Sequence, residues 1–106
     1  MTNGPLCHIF VGVEFGSIRH KALRRFVETG QPRGLPAAIV PRLDNIVAYL
    51  VAMAGEHELP VPPNFGAHRL TGDRAGRWSL VVTRNWRLTF RIVEGSIEDM
   101  DLEDYH

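Results

Sequence analysis

Arg77-Trp78-Ser79-Leu80-Val81-Val82-Thr83-Arg84-Asn85-Trp86-Arg87-Leu88-Thr89-Phe90-Arg91-Ile92-Val93 is the stretch that decides the fold. In its second half, Trp86, Leu88, Phe90 and Ile92 alternate with Arg87, Thr89 and Arg91. A period of two turns one side of a strand to a core and the other to solvent. The first half alternates in the same way, with Trp78, Leu80 and Val82 inward. Arg84-Asn85 is a two-residue connection with a turn-forming Asn, so the pair reads as an antiparallel hairpin. Trp78, Trp86, Leu88 and Phe90 are sheet core in this reading, and Arg87, Thr89 and Arg91 point out.

Downstream, Glu94-Gly95-Ser96 makes a second turn, and residues 97–102 form a last, acidic strand with Ile97, Met100 and Leu102 apolar. Upstream, residues 55–67 hold Pro60, Pro62, Pro63, Asn64 and Gly66 and read as an extended connector. Before it, Ile39, Val40, Leu43, Ile46, Val47, Leu50, Val51 and Ala54 recur at helical spacing over residues 36–54. Pro41 suits the first regular turn, and Gly55 is the expected stop. A shorter helix over residues 19–28 places Ala22, Leu23, Phe26 and Val27 inward. Arg19, His20, Lys21, Arg24 and Arg25 lie on its outer side. Ser17 is its expected cap, His20 a solvated residue, and Gly30 its end. Ile9, Val11, Val13 and Phe15 alternate and predict an edge strand within 8–18. The expected fold is α+β: one domain over 1–106, with two N-terminal helices packed on one face of a small twisted antiparallel meander of three or four strands.

The composition, 44% hydrophobic and 23% charged, excludes disorder and low complexity. No apolar run approaches the length of a membrane span, and no leader pattern precedes residues 9–13, so a cytoplasmic setting is expected. The single cysteine, Cys7, permits no intrachain disulfide and reads as an ordinary thiol. Net charge is zero but unevenly spread. Residues 1–93 carry 12 basic and 6 acidic side chains, and residues 94–106 carry 6 acidic and none basic. A basic body predicts a polyanion-binding face, with the acidic strand set off to one side.

Three pieces in order carry a resemblance. They are His68-Arg69-Leu70-Thr71-Gly72-Asp73-Arg74-Ala75-Gly76-Arg77-Trp78-Ser79, then Asn85-Trp86-Arg87-Leu88-Thr89-Phe90, then the terminal Asp104-Tyr105-His106. With the helical opening Arg19-His20-Lys21-Ala22-Leu23 and Glu28-Thr29-Gly30, residues 17–106 resemble the HigB toxins of the RelE/ParE superfamily. The resemblance implies a RelE-like, microbial-RNase-like fold and a toxin of a type II toxin–antitoxin module. It implies cleavage of mRNA in the ribosomal A site, arrest of translation, and neutralisation by a HigA-like helix-turn-helix antitoxin. Operator DNA is then bound only indirectly, through that antitoxin. Partners on this reading are the antitoxin, mRNA and the 70S ribosome, with no membrane and no cofactor.

The family's site residues fall on His68, Arg87, Asp104, Tyr105 and His106. Arg69, Arg74, Arg77, Arg84 and Arg91 are candidate RNA-binding cations around them. Two positions depart from the family. Thr71 stands where Lys is usual, removing one phosphate-binding cation, and Arg69 stands where Pro is usual and offers replacement charge.

Metal-free RNA cleavage needs this residue set. The RNA's own 2′-hydroxyl attacks, a base takes its proton, an acid protonates the departing 5′-oxygen, and cations hold the phosphorane's added charge. His68 and His106 suit the proton roles, in either order. Arg87 is a bidentate phosphate clamp. Tyr105 offers a hydrogen bond or a stacking surface, and Asp104 orients His106 or acts as the base. Asp73 and Gly76 read as turn formers, and His57-Glu58 lacks the spacing of a metal site. Two other functions fit the same family. One is a ParE-like inhibitor that binds DNA gyrase, and the other is an impaired toxin that only binds its antitoxin.

Overall fold

The computed structural model describes residues 14–104. Residues 1–13, Tyr105 and His106 lie outside that range, so Cys7, most of the predicted edge-strand span and two site residues are not placed. The described chain runs β1 (Glu14–Phe15), α1 (Lys21–Thr29), α2 (Val40–Ala52), β2 (His68–Arg69), β3 (Arg77–Thr83), β4 (Trp86–Val93) and β5 (Ser96–Asp104). Short 3-10 turns punctuate the connections at Ala37–Ile39, Glu56–Glu58, Pro63–Phe65 and Gly72–Arg74. The strands form one five-stranded sheet in the order β1-β5-β4-β3-β2.

The hairpin of β3 and β4 matches the sequence reading, with Trp78 opposite Phe90 and Leu80 opposite Leu88. Leu80, Leu88 and Phe90 are fully buried, Trp78 nearly so, and Trp86 packs on the core half-buried. The turn into β5 holds Glu94 and Gly95 both at positive φ. That geometry matches the twist of a tight hairpin.

Four expectations need correction. The helices are not N-terminal: β1 precedes them in the chain, and they lie at 21–52. Nor is the sheet a pure meander. β1 pairs with β5 in parallel, Glu14 opposite Ser96 and Phe15 opposite Ile97: the two-helix excursion carries the chain to the far edge, and the run from β2 to β5 brings it back. Ser17 does not cap α1. Its hydroxyl donates to Glu98 at 2.7 Å and accepts the Asp99 N–H at 2.7 Å, tying the approach to α1 onto β5. The cap falls to His20, whose Nδ1 accepts the Leu23 N–H at 3.1 Å. Lastly, β5 is not set aside, since it lies inside the sheet between β1 and β4.

Helix α1 ends at Gly30 in the left-handed conformation, as expected. Helix α2 takes Pro41 in its first turn but stops at Ala52, short of Gly55. The two helices bury Leu23, Phe26, Leu43, Ile46 and Leu50 against Leu80, Val82, Leu88, Phe90, Ile97, Met100 and Leu102. The proline-rich connector joins this core through Leu59 and Phe65, and Tyr49 stacks edge-on to Phe65 at 5.3 Å. Among the described residues, helices therefore cover one sheet face and leave the other open. No helix among the described residues is long and apolar enough to cross a membrane.

Candidate active site on the open sheet face

Strand alternation fixes which side chains share the open face. Residues directly opposite in register stand side by side on one face. His68 pairs with Ser79, Ser79 with Thr89, and Thr89 with Asp101. Arg77 pairs with Arg91 at one end of this row. Toward the other end, Val81 pairs with Arg87, and Arg87 with Glu103. Ser79 and Thr89, polar yet almost wholly buried, form the floor.

A bulge sets the geometry of the acidic side. The register passes from Thr89–Asp101 to Arg91–Glu98, so β5 carries one residue more than β4 there. Asp99 takes φ 54° at that point. The extra residue lets Ile97 and Met100, three apart, both reach the core. Asp99 accepts one hydrogen bond from Arg91 Nε at 2.9 Å on Oδ2, the same oxygen lies 2.8 Å from Arg91 Nη2, and Arg19 stands at 3.9 Å. The hydrogen bond from Arg91, opposed by partial burial and aided by the nearby guanidinium charges, holds Asp99 below the ordinary aspartate range.

At the centre stands Glu103. It pairs with Arg74, which reaches back over the open face from the Gly72–Arg74 turn, and it accepts the Thr89 hydroxyl at 2.6 Å. Thr89 in turn accepts from Arg77 Nη2 at 3.1 Å, and that same nitrogen donates to the Asp99 carbonyl at 3.0 Å. Arg77 Nε is buried and has no acceptor among the described residues. Desolvation, then the neighbouring charge of Arg74, lowers the Arg77 pKa. Two arginines in direct cross-strand register, one with an orphaned N–H, are costly in an isolated protein and fit a seat for an anion.

Burial pushes the Glu103 carboxyl up, but hydrogen bonds from Arg74 and Thr89, with the charges of Arg74 and Arg77, outweigh it. The folded value lies below the ordinary glutamate range. A carboxyl depressed on folding adds stability above its unfolded pKa, and that stability is lost as pH falls through the folded one. Melting temperature should thus hold steady near neutrality and fall once pH drops below about 4.3, the ordinary glutamate value. Glu103→Gln should flatten that acid limb, as a melting-temperature series against pH would show. An unchanged limb would mean that Glu103 is not held by these partners.

His68 is exposed at the sheet edge, with Nδ1 at 3.2 Å from the Gly66 carbonyl. When Nδ1 carries the proton, Nε2 is the basic nitrogen. Arg87 stands on the open face but turns Nη1 to the carbonyls of Thr83 at 2.8 Å and Arg84 at 2.9 Å. Asp104 ends β5 opposite Trp86. It is not beside His68: two strands intervene, roughly 14 Å across three strand spacings. The face thus gathers His68, Arg74, Arg77, Arg87 and Arg91, but Asp104 is a correction: its register partner Trp86 packs on the core, so Asp104 ends β5 on the helix-covered side.

Arg69 is a correction. Adjacent strand residues point to opposite faces, so Arg69 turns away from His68. It lies over the Trp78 ring at 5.2 Å and pairs with Glu56 at 2.5 Å, and Glu56 also accepts the Trp78 indole N–H at 2.6 Å. It therefore supplies no charge to the open face in place of the missing lysine. Arg84 is exposed in the β3–β4 turn. Glu103 and Thr89, which sequence reasoning passed over as site residues, are the hub. No group of three histidine, cysteine or acidic side chains that could hold a metal ion occurs among the described residues.

The arrangement of two helices on a five-stranded sheet is shared with solved toxin structures. YafQ from E. coli strain BL21(DE3) superposes with a TM-score of 0.55 at 14% identity, covering 87% of this chain and 90% of YafQ. The YoeB/ParE toxin from Agrobacterium tumefaciens does so with a TM-score of 0.55 at 18% identity, covering 85% and 97%. The E. coli DinJ-YafQ toxin-antitoxin complex also matches, with a TM-score of 0.55 at 16% identity over 91% of this chain and 93% of the matched one. These likenesses establish the fold. Sequence identifies the family. Residues 16–106 match the family described as the RelE-like toxin of type II toxin-antitoxin system HigB. The Endoribonuclease HigB of Proteus vulgaris is 38% identical over 92 residues, covering 85% of this chain and 97% of that protein. The chain belongs to the HigB-type, RelE-like toxins.

Proposed function

We propose that this chain is the toxin of a type II toxin–antitoxin module and an endoribonuclease that cuts mRNA in the A site of the 70S ribosome. The observation that carries the reading is the open face itself. It sets His68 at the edge of a sheet floor crossed by Arg77, Arg87 and Arg91, in a chain whose relative is an endoribonuclease.

The RNA 2′-oxygen attacks the adjacent phosphorus, and the bond from phosphorus to the 5′-oxygen breaks. The products are a 2′,3′-cyclic phosphate and a 5′-hydroxyl end. His68 and His106 take and return the proton, and this balance requires no metal. Arg77, with its orphaned N–H, and Arg87 hold the phosphorane's charge. Arg74, Arg84 and Arg91 hold neighbouring phosphates. Tyr105 and His106 follow Asp104 directly in the sequence and lie outside the described residues. The partners are a HigA-like helix-turn-helix antitoxin, mRNA and the ribosome, with operator DNA reached only through the antitoxin. The setting is the cytoplasm.

Induced expression without antitoxin tests this. Wild type should arrest growth and create new mRNA 5′ ends inside coding regions, and His106→Ala should do neither. Growth arrest with intact mRNA would overturn it.

A further inference from the structure

Two arginines of the open face, Arg74 and Arg91, are already answered by carboxylates. Arg74 forks onto both oxygens of Glu103, and Arg91 hydrogen-bonds one oxygen of Asp99 through Nε with Nη2 in ion-pair contact. A guanidinium that grips a carboxylate through two parallel N–H bonds uses the geometry with which it grips a phosphate. The Gly72–Arg74 turn leaves the Arg77 end of β3, yet Arg74 meets a residue whose register partner is Arg87, further along the sheet. The Arg74 side chain therefore reaches back along the floor, beside Thr89 and Glu103. Gly72 and Gly76 bracket the turn at φ 71° and 92°, conformations that glycine adopts without strain. On β5, Asp101 stands two residues from Glu103, on the same face and opposite Thr89, where its charge acts on Arg74 more weakly than the Glu103 carboxylate does.

We propose that Glu103 is a specificity-determining residue: its carboxylate stands in for an RNA phosphate on Arg74 and Thr89, so that a free polyanion must displace it to occupy the site. The inference rests on the proposed nuclease reading and concerns substrate selection by that same face. Free RNA in dilute solution pays for breaking the Arg74–Glu103 pair. A strand already held in place over the face pays it from binding energy gained elsewhere. Glu103 acts through Arg74 and Thr89, so it positions and screens rather than reacting with RNA.

The test is binding of a short 2′-O-methyl RNA, which has no attacking hydroxyl, to the full chain by fluorescence anisotropy over a range of salt. Glu103→Gln should bind about tenfold tighter than wild type, the scale of one charge-assisted phosphate contact. Its salt slope should steepen by about 0.7 for each phosphate contact released to the arginine. Asp101→Asn removes the same charge from the same face and should gain distinctly less. Adding Arg74→Ala to Glu103→Gln should abolish the gain. Equal gains for Glu103→Gln and Asp101→Asn would reduce the effect to net charge and overturn the proposal. No gain, or weaker binding, would overturn it too. If Glu103→Gln fails to fold, Arg74→Ala alone decides: less than about a twofold loss supports the pairing. A tenfold loss, which would mean that Arg74 already holds RNA in the wild type, overturns it. These are affinities for an uncleavable strand. The nuclease reading fails separately, on intact mRNA in arrested cells.

Discussion

His68→Ala is expected to lower mRNA cleavage by about two to four orders of magnitude, the contribution of a positioned proton-transfer group. Fold stability should stay within about 0.5 kcal/mol of wild type, because the imidazole is exposed at an edge strand. Its ring bonds to the Gly66 carbonyl through Nδ1 at 3.2 Å. A proton on Nδ1 leaves Nε2 as the acceptor for a 2′-hydroxyl proton, and alanine has no substitute for it. His57→Ala is the matched control. That side chain is 78% exposed on the proline-rich connector, beside its neighbour Glu58, and the variant should cut like wild type. Primer extension on a reporter mRNA during induction reads the cleavage, and thermal melting reads the fold. Should growth arrest survive substitution of both His68 and His106, the nuclease mechanism falls and gyrase binding takes its place.

The sequence made the hairpin legible because a period of two over residues 77–93 leaves no other assignment. It also located both helices, because Leu43, Ile46 and Leu50 recur on one side. What it concealed has physical causes. Ile97 and Met100 are three apart, and only a bulge at Asp99 lets both face inward. Without that bulge in hand, the register of β5 is unknown, and so are the partners of Glu98, Asp99, Asp101 and Glu103. The acidic strand therefore read as a solvated edge when its carboxylates meet the arginines of β3, β4 and the turn before β3. Leu59 and Phe65 sit among prolines and lack any period, so their burial depends wholly on tertiary packing. Arg69 was the exception, for alternation from His68 already put it on the opposite face. As for the site, sequence order brings His68 and Arg87 to one face, but the Arg74–Glu103–Thr89–Arg77 cluster spans separations of 12 to 29 residues and exists only once the strands are in register.

The site's floor and the core share β4, so the fold is most exposed at Phe90. This side chain is fully buried between Thr89 and Arg91, both of which face the site, and it lies opposite Trp78 of β3. Phe90→Ala should cost about 3–5 kcal/mol, the lost transfer energy plus the cavity left where neighbours relax only in part. Set against a total of about 5–15 kcal/mol for a domain of this kind, that loss leaves much of the chain unfolded at growth temperature. A urea titration should show a large drop in midpoint with an unchanged slope, since the surface exposed on unfolding barely alters. Val61→Ala, at a side chain 66% exposed, should stay within about 0.5 kcal/mol. Phe90→Leu keeps most of the volume and should recover most of the stability. Toxicity should follow the same order, low in the alanine variant and restored in the leucine one, because Thr89 holds Glu103 and Arg77 only while the strand beneath it is packed. A Phe90→Ala protein less than about 1 kcal/mol below wild type would show that the helices do not pack on β4, and the placement of the open face would fall with it.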